Sequence, residues 1–210
     1  MESLEEKYKE FLELLGEYVH KYNFKNKRKG YYQRKIGECI QYIQITSTKT
    51  RQKDEIHIMP IVGFEYVKLD KVIAFLKNRH YEKGFGTGSL TFSCLRDDNK
   101  TYAFYIDGNT DIFPIVSVIV DNIEKYALDY LDSCSTLKKY ENMLLTEKEK
   151  MTYSAVMKYE WNLLAVSLVL QRNNYNRIME DYKTDLSKDR IAFNNVQERI
   201  QQLIDVKMEV

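Results

Sequence analysis

No glycine and no proline occurs between Ile115 and Val210: all eight glycines fall between Gly16 and Gly108, and the two prolines are Pro60 and Pro114. With no strong helix breaker over that stretch, and with Leu, Lys, Glu, Asn and Tyr abundant, the second half is expected to form helices joined by polar turns. Cysteine is equally scarce. Cys39, Cys94 and Cys134 are widely spaced and form no CxxC, which argues against a disulfide framework and for reduced thiols in a cytosol. The three histidines, His20, His57 and His80, stand at no metal-ligand spacing from one another or from a cysteine. No long apolar run is present. The longest nearly apolar stretch, Ile112 to Val120, is interrupted by Pro114 and Ser117 and is too short to cross a bilayer. The opening Met1-Glu2-Ser3-Leu4-Glu5-Glu6 is acidic without an apolar core, so no secretory signal is expected there. These absences together point to a cytoplasmic protein, bacterial in style, without membrane association. The net charge of +1 means no global field that would demand a polyanionic partner.

What is present is ordinary for a globular protein: 44% apolar and 30% charged residues over 210 positions, enough for one substantial core and one or two domains. Seventeen tyrosines are many, and tyrosine suits half-buried sheet faces and contact surfaces. Ser3 and Glu6 form a capping box ahead of Leu4, Tyr8, Phe11, Leu12, Leu15, Val19 and Tyr22, which predicts a helix over Leu4–Tyr22. Tyr31–Ile36 and Cys39–Thr48 read as a hairpin around Gly37-Glu38. Glu55–Val67 is a third β-rich run, which Pro60 and Gly63 mark as bulged or at an edge. Leu69–Asn78 is a short helix with Val72, Ile73 and Leu76 on one side. Ser89–Leu95 and Thr101–Ile106 read as a second hairpin.

Asp111 caps a helix with Pro114 in its first turn, carrying Ile115, Ile119, Ile123, Tyr126 and Tyr130 until Ser133 and Ser135. A shorter helix runs to Leu145. Thr146 with Glu149 opens another through Trp161, Leu164, Leu168 and Leu170. Asn173-Asn174 is a turn, and Tyr175–Leu186 and Asp189–Val206 are two further helices. The expected fold is α+β: an N-terminal helix packed on an antiparallel sheet of four or five strands, then a C-terminal helical layer. Residues 1–112 would hold the helix and sheet, and 113–210 the helical part, packed as one globular unit.

Chemical motifs fail on their context. Gly84-Phe85-Gly86-Thr87-Gly88 follows a predicted helix and precedes a strand, the reverse of a phosphate-binding loop, and lacks the Lys-Ser/Thr ending. Asp107-Gly108-Asn109-Thr110-Asp111 imitates the start of a calcium loop, but Ile112 and Val118 occupy the positions that need glycine and a bidentate acid. A turn leading into a helix cap is the expected role. Cys39 with His57 is a pairing a fold could create, yet Cys39 lies in a predicted strand, where a buried structural thiol is expected. No GxSxG, HExxH or kinase signature occurs, and neither a metal nor a cofactor is implied.

One electrostatic feature is localised. From Lys21 to Lys53 ten basic residues stand against Glu38 alone, a local excess of +9 that leaves −8 for the rest of the chain. Tyr22, Phe24, Tyr31, Tyr32 and Tyr42 are interleaved. This region supplies the candidate partner-binding residues Lys25, Lys27, Arg28, Lys29, Tyr31, Tyr32, Arg34, Lys35, Lys49 and Arg51. Such a set can grip an acidic protein surface, because Arg and Tyr are common interface anchors. It can also grip a nucleic-acid backbone and stack bases. Equally, the charges can be solvated residues that protect sheet edges.

Phe24 leading a basic turn into Tyr31-Tyr32-Gln33-Arg34 begins a series of family cues. Ile43-Gln44-Ile45-Thr46-Ser47, Ile56-His57-Ile58 towards Gly63, Gly88-Ser89-Leu90, and an aromatic strand leading to an Asp and a long helix complete it. In this order the chain resembles, over about residues 5–140, a bacterial family catalogued only as domain of unknown function 4304. The tryptophan-containing segments usual in that family have no counterpart, the lone tryptophan being Trp161. The resemblance transfers no catalytic residue. Its members are similar in style to small bacterial proteins found near secreted-toxin loci, which implies an immunity or inhibitor role. The expectation is therefore a non-enzymatic, toxin-neutralising interaction protein. The alternatives are a nucleic-acid binder using residues 21–53, and an enzyme of unrecognised type with Asp97, Asp98, Asp107 or Asp111 gathered in a cleft.

Overall fold

The computed structural model describes residues 3–50, 54–82, 86–96, 100, 102–146 and 159–205. The fold is α+β, with an N-terminal helix, an antiparallel sheet and a helical C-terminal region. The chain divides into two compact units. The first takes Met1–Phe64 and Ser89–Asp132, the second Glu65–Gly88 and Ser133–Val210.

In the first unit, helix α1 (Leu4–His20) opens on the expected capping box. Ser3 Oγ accepts from the Glu6 amide at 3.2 Å, and the Ser3 amide donates to Glu6 Oε2 at 2.9 Å. Leu4, Tyr8, Phe11, Leu12, Leu15 and Val19 form its buried stripe. The helix ends two residues before Tyr22, and Asn23 in the left-handed region (φ 65°) turns the chain into the sheet. The strands are β1 (Lys25–Arg28), β2 (Tyr31–Ile36), β3 (Cys39–Thr50), β4 (Glu55–Glu65), β5 (Gly88–Thr91) and β6 (Phe104–Asp107). They form one sheet in the order β1-β2-β3-β4-β5, with β6 also paired to β4. The short strand β1 lies ahead of the expected set.

Alternation sorts the sheet into two faces. Tyr32 pairs with Ile43 and Ile56 with Ile106, and all four are buried in the core. Tyr31, Gln33, Gln44, His57 and Tyr105 belong to the opposite, more open face.

Two expectations about strands are corrected. The run with Pro60 is no edge: β4 lies between β3 and β5. Pro60 is accommodated because it falls beyond Ile58↔Phe104, the last pair of the β4–β6 ladder, where that ladder loses no donor. Among the described residues the second hairpin does not form either. After Thr91 the chain forms a helical turn, α3 (Phe92–Leu95), and β6 pairs with β4. Leu90 and Phe92 stand two apart, a spacing that fitted a continued strand, but burial of Phe92 in the turn overrides local propensity.

Helix α4 (Ile112–Asn122) is capped by Asp111, which accepts from the Phe113 amide at 3.1 Å. Its buried stripe begins at Ile112 and Val116 rather than at Ile115. A π-helical turn at Ile123–Ala127 then adds a residue to the period, and α5 (Leu128–Ser133) buries Tyr130 and Leu131.

The second unit contains α2 (Val67–Leu76), α6 (Leu137–Thr146), α7 (Tyr159–Val169), α8 (Tyr175–Asp181), α9 (Lys183–Leu186), α10 (Arg190–Phe193) and α11 (Val196–Asp205). Helix α7 is buried from Trp161 through Leu168, so it is the core of this unit, with α2 packed against it. Trp161 is thus a core residue. The capping box expected from Thr146 and Glu149 falls at the start of a segment, 147–158, outside the described residues. The two long helices expected after Asn174 are each interrupted. Tyr182 leaves helical geometry between α8 and α9, and Asn195 (φ 58°) lies in the turn ahead of α11. Among the described residues, no helix is long and apolar enough to cross a membrane.

Candidate functional site

Strand β1 ends the sheet order, and all four of its residues are exposed. Lys25 pairs with Gln33 and Asn26 with Tyr32, but Arg28, not Lys27, pairs with Tyr31. The bulge at Lys27 therefore returns Arg28 to the open face that Lys25 shares. There the Arg28 guanidinium lies 4.7 Å from the Tyr31 ring centre, and Tyr31 stacks on Tyr42 at 5.3 Å. The turn to β2 uses Gly30 at φ 69°, where a side chain would stand 3.0 Å from the Ile45 carbonyl oxygen. Lys29, beside it, sets its ammonium 4.9 Å from the Tyr8 ring on α1. Farther along the open face, His57 and Tyr105 stack at 4.8 Å, and Tyr105 is 57% exposed. His57 Nε2 is buried without a hydrogen-bond partner among the described residues.

The structure thus brings Lys25, Lys27, Arg28, Lys29, Tyr31 and Lys35 together on one strand edge and its neighbour. Among the described residues none of these five cations makes an ion pair. Lys49 lies apart, 3.7 Å from Asp54, and Arg51 is outside the described residues.

Two of the expected contact residues are corrected. Tyr32 is fully buried, its hydroxyl donating to the Leu12 carbonyl oxygen at 2.5 Å, so it holds α1 to the sheet and presents nothing to a partner. Burial pushes its pKa well up and keeps it a donor. Arg34 is consumed internally. It donates to Gln41 Oε1 at 2.7 Å, the Tyr22 carbonyl at 3.3 Å and Asp132 at 3.1 Å, and lies over the Phe24 ring. Strict alternation explains both, since each faces the core side of β2.

Of the carboxylates raised as enzymatic candidates, the two described ones serve their own turn and helix cap. Asp107 is exposed and accepts from the Thr110 hydroxyl at 2.7 Å and the Asn109 amide at 2.9 Å, bonds that hold its carboxyl below the usual range. Asp111 is the α4 cap. Asp97 and Asp98 are outside the described residues. Cys39 is buried on the core face while His57 is on the other, so they form no nucleophilic pair. No group of three His, Cys, Asp or Glu among the described residues could hold a metal ion.

The second unit contains a feature that sequence reading missed. A cavity of about 580 Å³ is floored by one stripe of α2, Asp70, Ile73, Ala74 and Lys77, with Trp161 and Asn162 of α7 also lining it. The i, i+3, i+4, i+7 spacing of that stripe was visible, but the apolar positions Val72, Ile73 and Leu76 drew attention to the packed side instead. At one end Thr87, buried, accepts from the Tyr66 amide at 2.7 Å and hydrogen-bonds the Asp70 carboxyl. Burial raises Asp70 to about 7; the Thr87 bond opposes this and nearby Glu65 adds to it. At the other end Lys77 lies 5.5 Å from the Trp161 ring centre and 3.7 Å from Asp189, which Arg79 also meets at 3.1 Å.

No family model matches the chain, and neither the curated proteins nor the solved structures yielded a match.

Proposed function

We propose that this chain is a non-enzymatic interaction protein that takes an acidic protein partner along β1 and the open face of β2 and β3, acting by occlusion in the toxin-neutralising manner. One observation carries the reading. Lys25, Lys27, Arg28, Lys29 and Lys35 sit without ion-pair partners, among the described residues, beside a stacked Arg28–Tyr31–Tyr42 ladder on a sheet edge. Cations exposed beside aromatic rings complement carboxylates and steer association.

Edge protection alone would also place lysines on β1, but it makes a different prediction. A glutamate blocks edge-to-edge pairing as well as a lysine does, so charge reversal would then be silent. The test is capture from the source cell's extract after nuclease treatment, with the natural chain and with Arg28→Glu/Lys29→Glu. A stoichiometric protein retained by the first and lost by the second, with both folded by circular dichroism, is the expected result. Equal retention would remove β1 from the site.

A second reading, single-stranded nucleic acid, is favoured by the two stacked pairs on the open face, Tyr31–Tyr42 and His57–Tyr105. It requires that binding to short oligonucleotides fall steeply with salt as counterions are released. Absent or salt-insensitive binding rejects it.

A further inference from the structure

Arg28 stands opposite Tyr31 because β1 carries one extra residue. With Asn26 opposite Tyr32, an unbroken ladder would set Lys27 there; the bulge sets Arg28 there instead. A lysine at that position would protect the sheet edge equally well, so edge protection does not account for the exchange. The two side chains differ in what they do on a ring. A guanidinium is planar and weakly hydrated, and it stacks on an aromatic face while its N–H fork still points outward in its own plane. An ammonium is a hydrated point charge. Arg28 is exposed, with its guanidinium 4.7 Å from the Tyr31 ring centre, and Tyr31 is itself stacked on Tyr42, which is 7% exposed. The guanidinium thus rests on a ring that is held by a second, buried ring. Among the described residues it makes no hydrogen bond or ion pair. Lys25 lies opposite Gln33, and Lys35, two residues on, shares that face; both are exposed. Of these three cations, Arg28 is the one set on a ring.

A long side chain held in one geometry before a partner arrives has less ordering left to lose on association. A fork so held meets a carboxylate through two parallel N–H···O bonds, which a lysine cannot make. We infer that Arg28 is the anchor of the acidic-partner surface: it takes one Asp or Glu carboxylate of the partner in a two-pronged hydrogen bond, while Lys25 and Lys35 act through charge alone. This anchor rests on the acidic-partner reading and assigns its residues unequal parts. A nucleic-acid strand is the poorer fit at this point. The Tyr31 ring already carries Arg28 and packs on Tyr42, so a base finds little ring surface to stack on.

The full chain, labelled with heavy nitrogen, is titrated with hexaglutamate and with a thymidine oligonucleotide of equal charge while the Arg28 Nε–H resonance is followed. The expected result is a saturable shift with hexaglutamate and weaker binding of the oligonucleotide. Arg28→Lys, which keeps the charge and loses the fork, should bind hexaglutamate about tenfold more weakly. Lys25→Gln and Lys35→Gln should each weaken it only about two- to threefold, as exposed charges do. Tyr31→Leu keeps every cation and removes the ring beneath the guanidinium, so it should move binding in the direction of Arg28→Lys. If hexaglutamate binds and Arg28→Lys, folded by circular dichroism, binds it as tightly as the natural chain does, the anchor is overturned while the acidic-partner reading stands. No saturable shift with hexaglutamate, or tighter binding of the oligonucleotide, overturns both.

Discussion

The Tyr32 hydroxyl donates to the carbonyl oxygen of Leu12 at 2.5 Å, joining β2 to α1 through a residue with no exposed surface. The ring reaches that position because α1 offers glycine beneath it: a Cβ on Gly16 would stand 3.2 Å from Tyr32 Cε1. Removing the hydroxyl alone leaves the Leu12 carbonyl its helical partner, so the cost is a net hydrogen bond and not a stranded group. Tyr32→Phe should lower unfolding free energy by about 1 kcal/mol, and Tyr32→Ala by about 3–5 kcal/mol through the cavity it leaves. Urea titrations of the three proteins test this. A Phe variant as stable as the natural chain would show that the bond contributes nothing net. Neither change should alter the surface of β1, so binding per folded molecule should persist in Tyr32→Phe.

That pair also shows where sequence reading reached its limit. The helix stripe from Leu4 to Val19, the Gly37-Glu38 hairpin and the Asp111 cap were legible because each is a local pattern: a 3.6-residue period, a two-residue turn, a side chain reaching its own helix amides. The pairing of β6 with β4 across nearly fifty residues is set by packing and left no local mark. Within the basic segment, charge and aromatic content were legible and facing was not. Tyr31 and Tyr32 are adjacent and alike in sequence, yet one lies over the open face and the other is sealed under α1. The bulge that puts Arg28 over Tyr31 has no signature in Lys25-Asn26-Lys27-Arg28. The acidic end of the α2 cavity required Glu65, Asp70 and Thr87 to converge from a strand end, a helix and a loop, which only the fold accomplishes.

Asp189 is expected to be the most sensitive charged residue of the second unit. Its carboxylate meets Lys77 at 3.7 Å and Arg79 at 3.1 Å, and it also caps α10 by accepting from the Ala192 amide at 3.3 Å. The Lys77 and Asp189 side chains are each only 10% exposed. Asp189→Ala removes the carboxylate that Lys77 and Arg79 both meet, beside a largely buried ammonium, and should cost about 2–4 kcal/mol. Asp189→Asn keeps an oxygen for the cap and should cost about 1 kcal/mol less. Adding Lys77→Met to Asp189→Ala should recover part of the loss, because the largely buried ammonium that has lost its Asp189 contact is then gone while an apolar stem still covers Trp161. A denaturant double-mutant cycle measures the coupling. If Asp189→Ala fell within about 0.5 kcal/mol of the natural chain, the pair would be behaving as a surface ion pair.

Asp70 makes stability depend on pH in the direction opposite to most carboxylates. Its pKa is about 7 in the folded chain against 3.8 in its unperturbed form, so the native state binds the proton more tightly than the unfolded state. Where the native state holds more protons, stability falls as pH rises. The favourable contribution is complete below about pH 4 and is lost as pH climbs through 7, where a carboxylate must form against desolvation and the nearby Glu65. The shift corresponds to a loss on the order of 4 kcal/mol at the alkaline end, an upper bound because water can enter the open cavity. Asp70→Asn carries no titrating proton and keeps the Thr87 contact. It should match the natural chain in melting temperature near pH 4–5 and exceed it increasingly from pH 6 to pH 8.5. A constant difference across that range would mean that Asp70 titrates alike in both states.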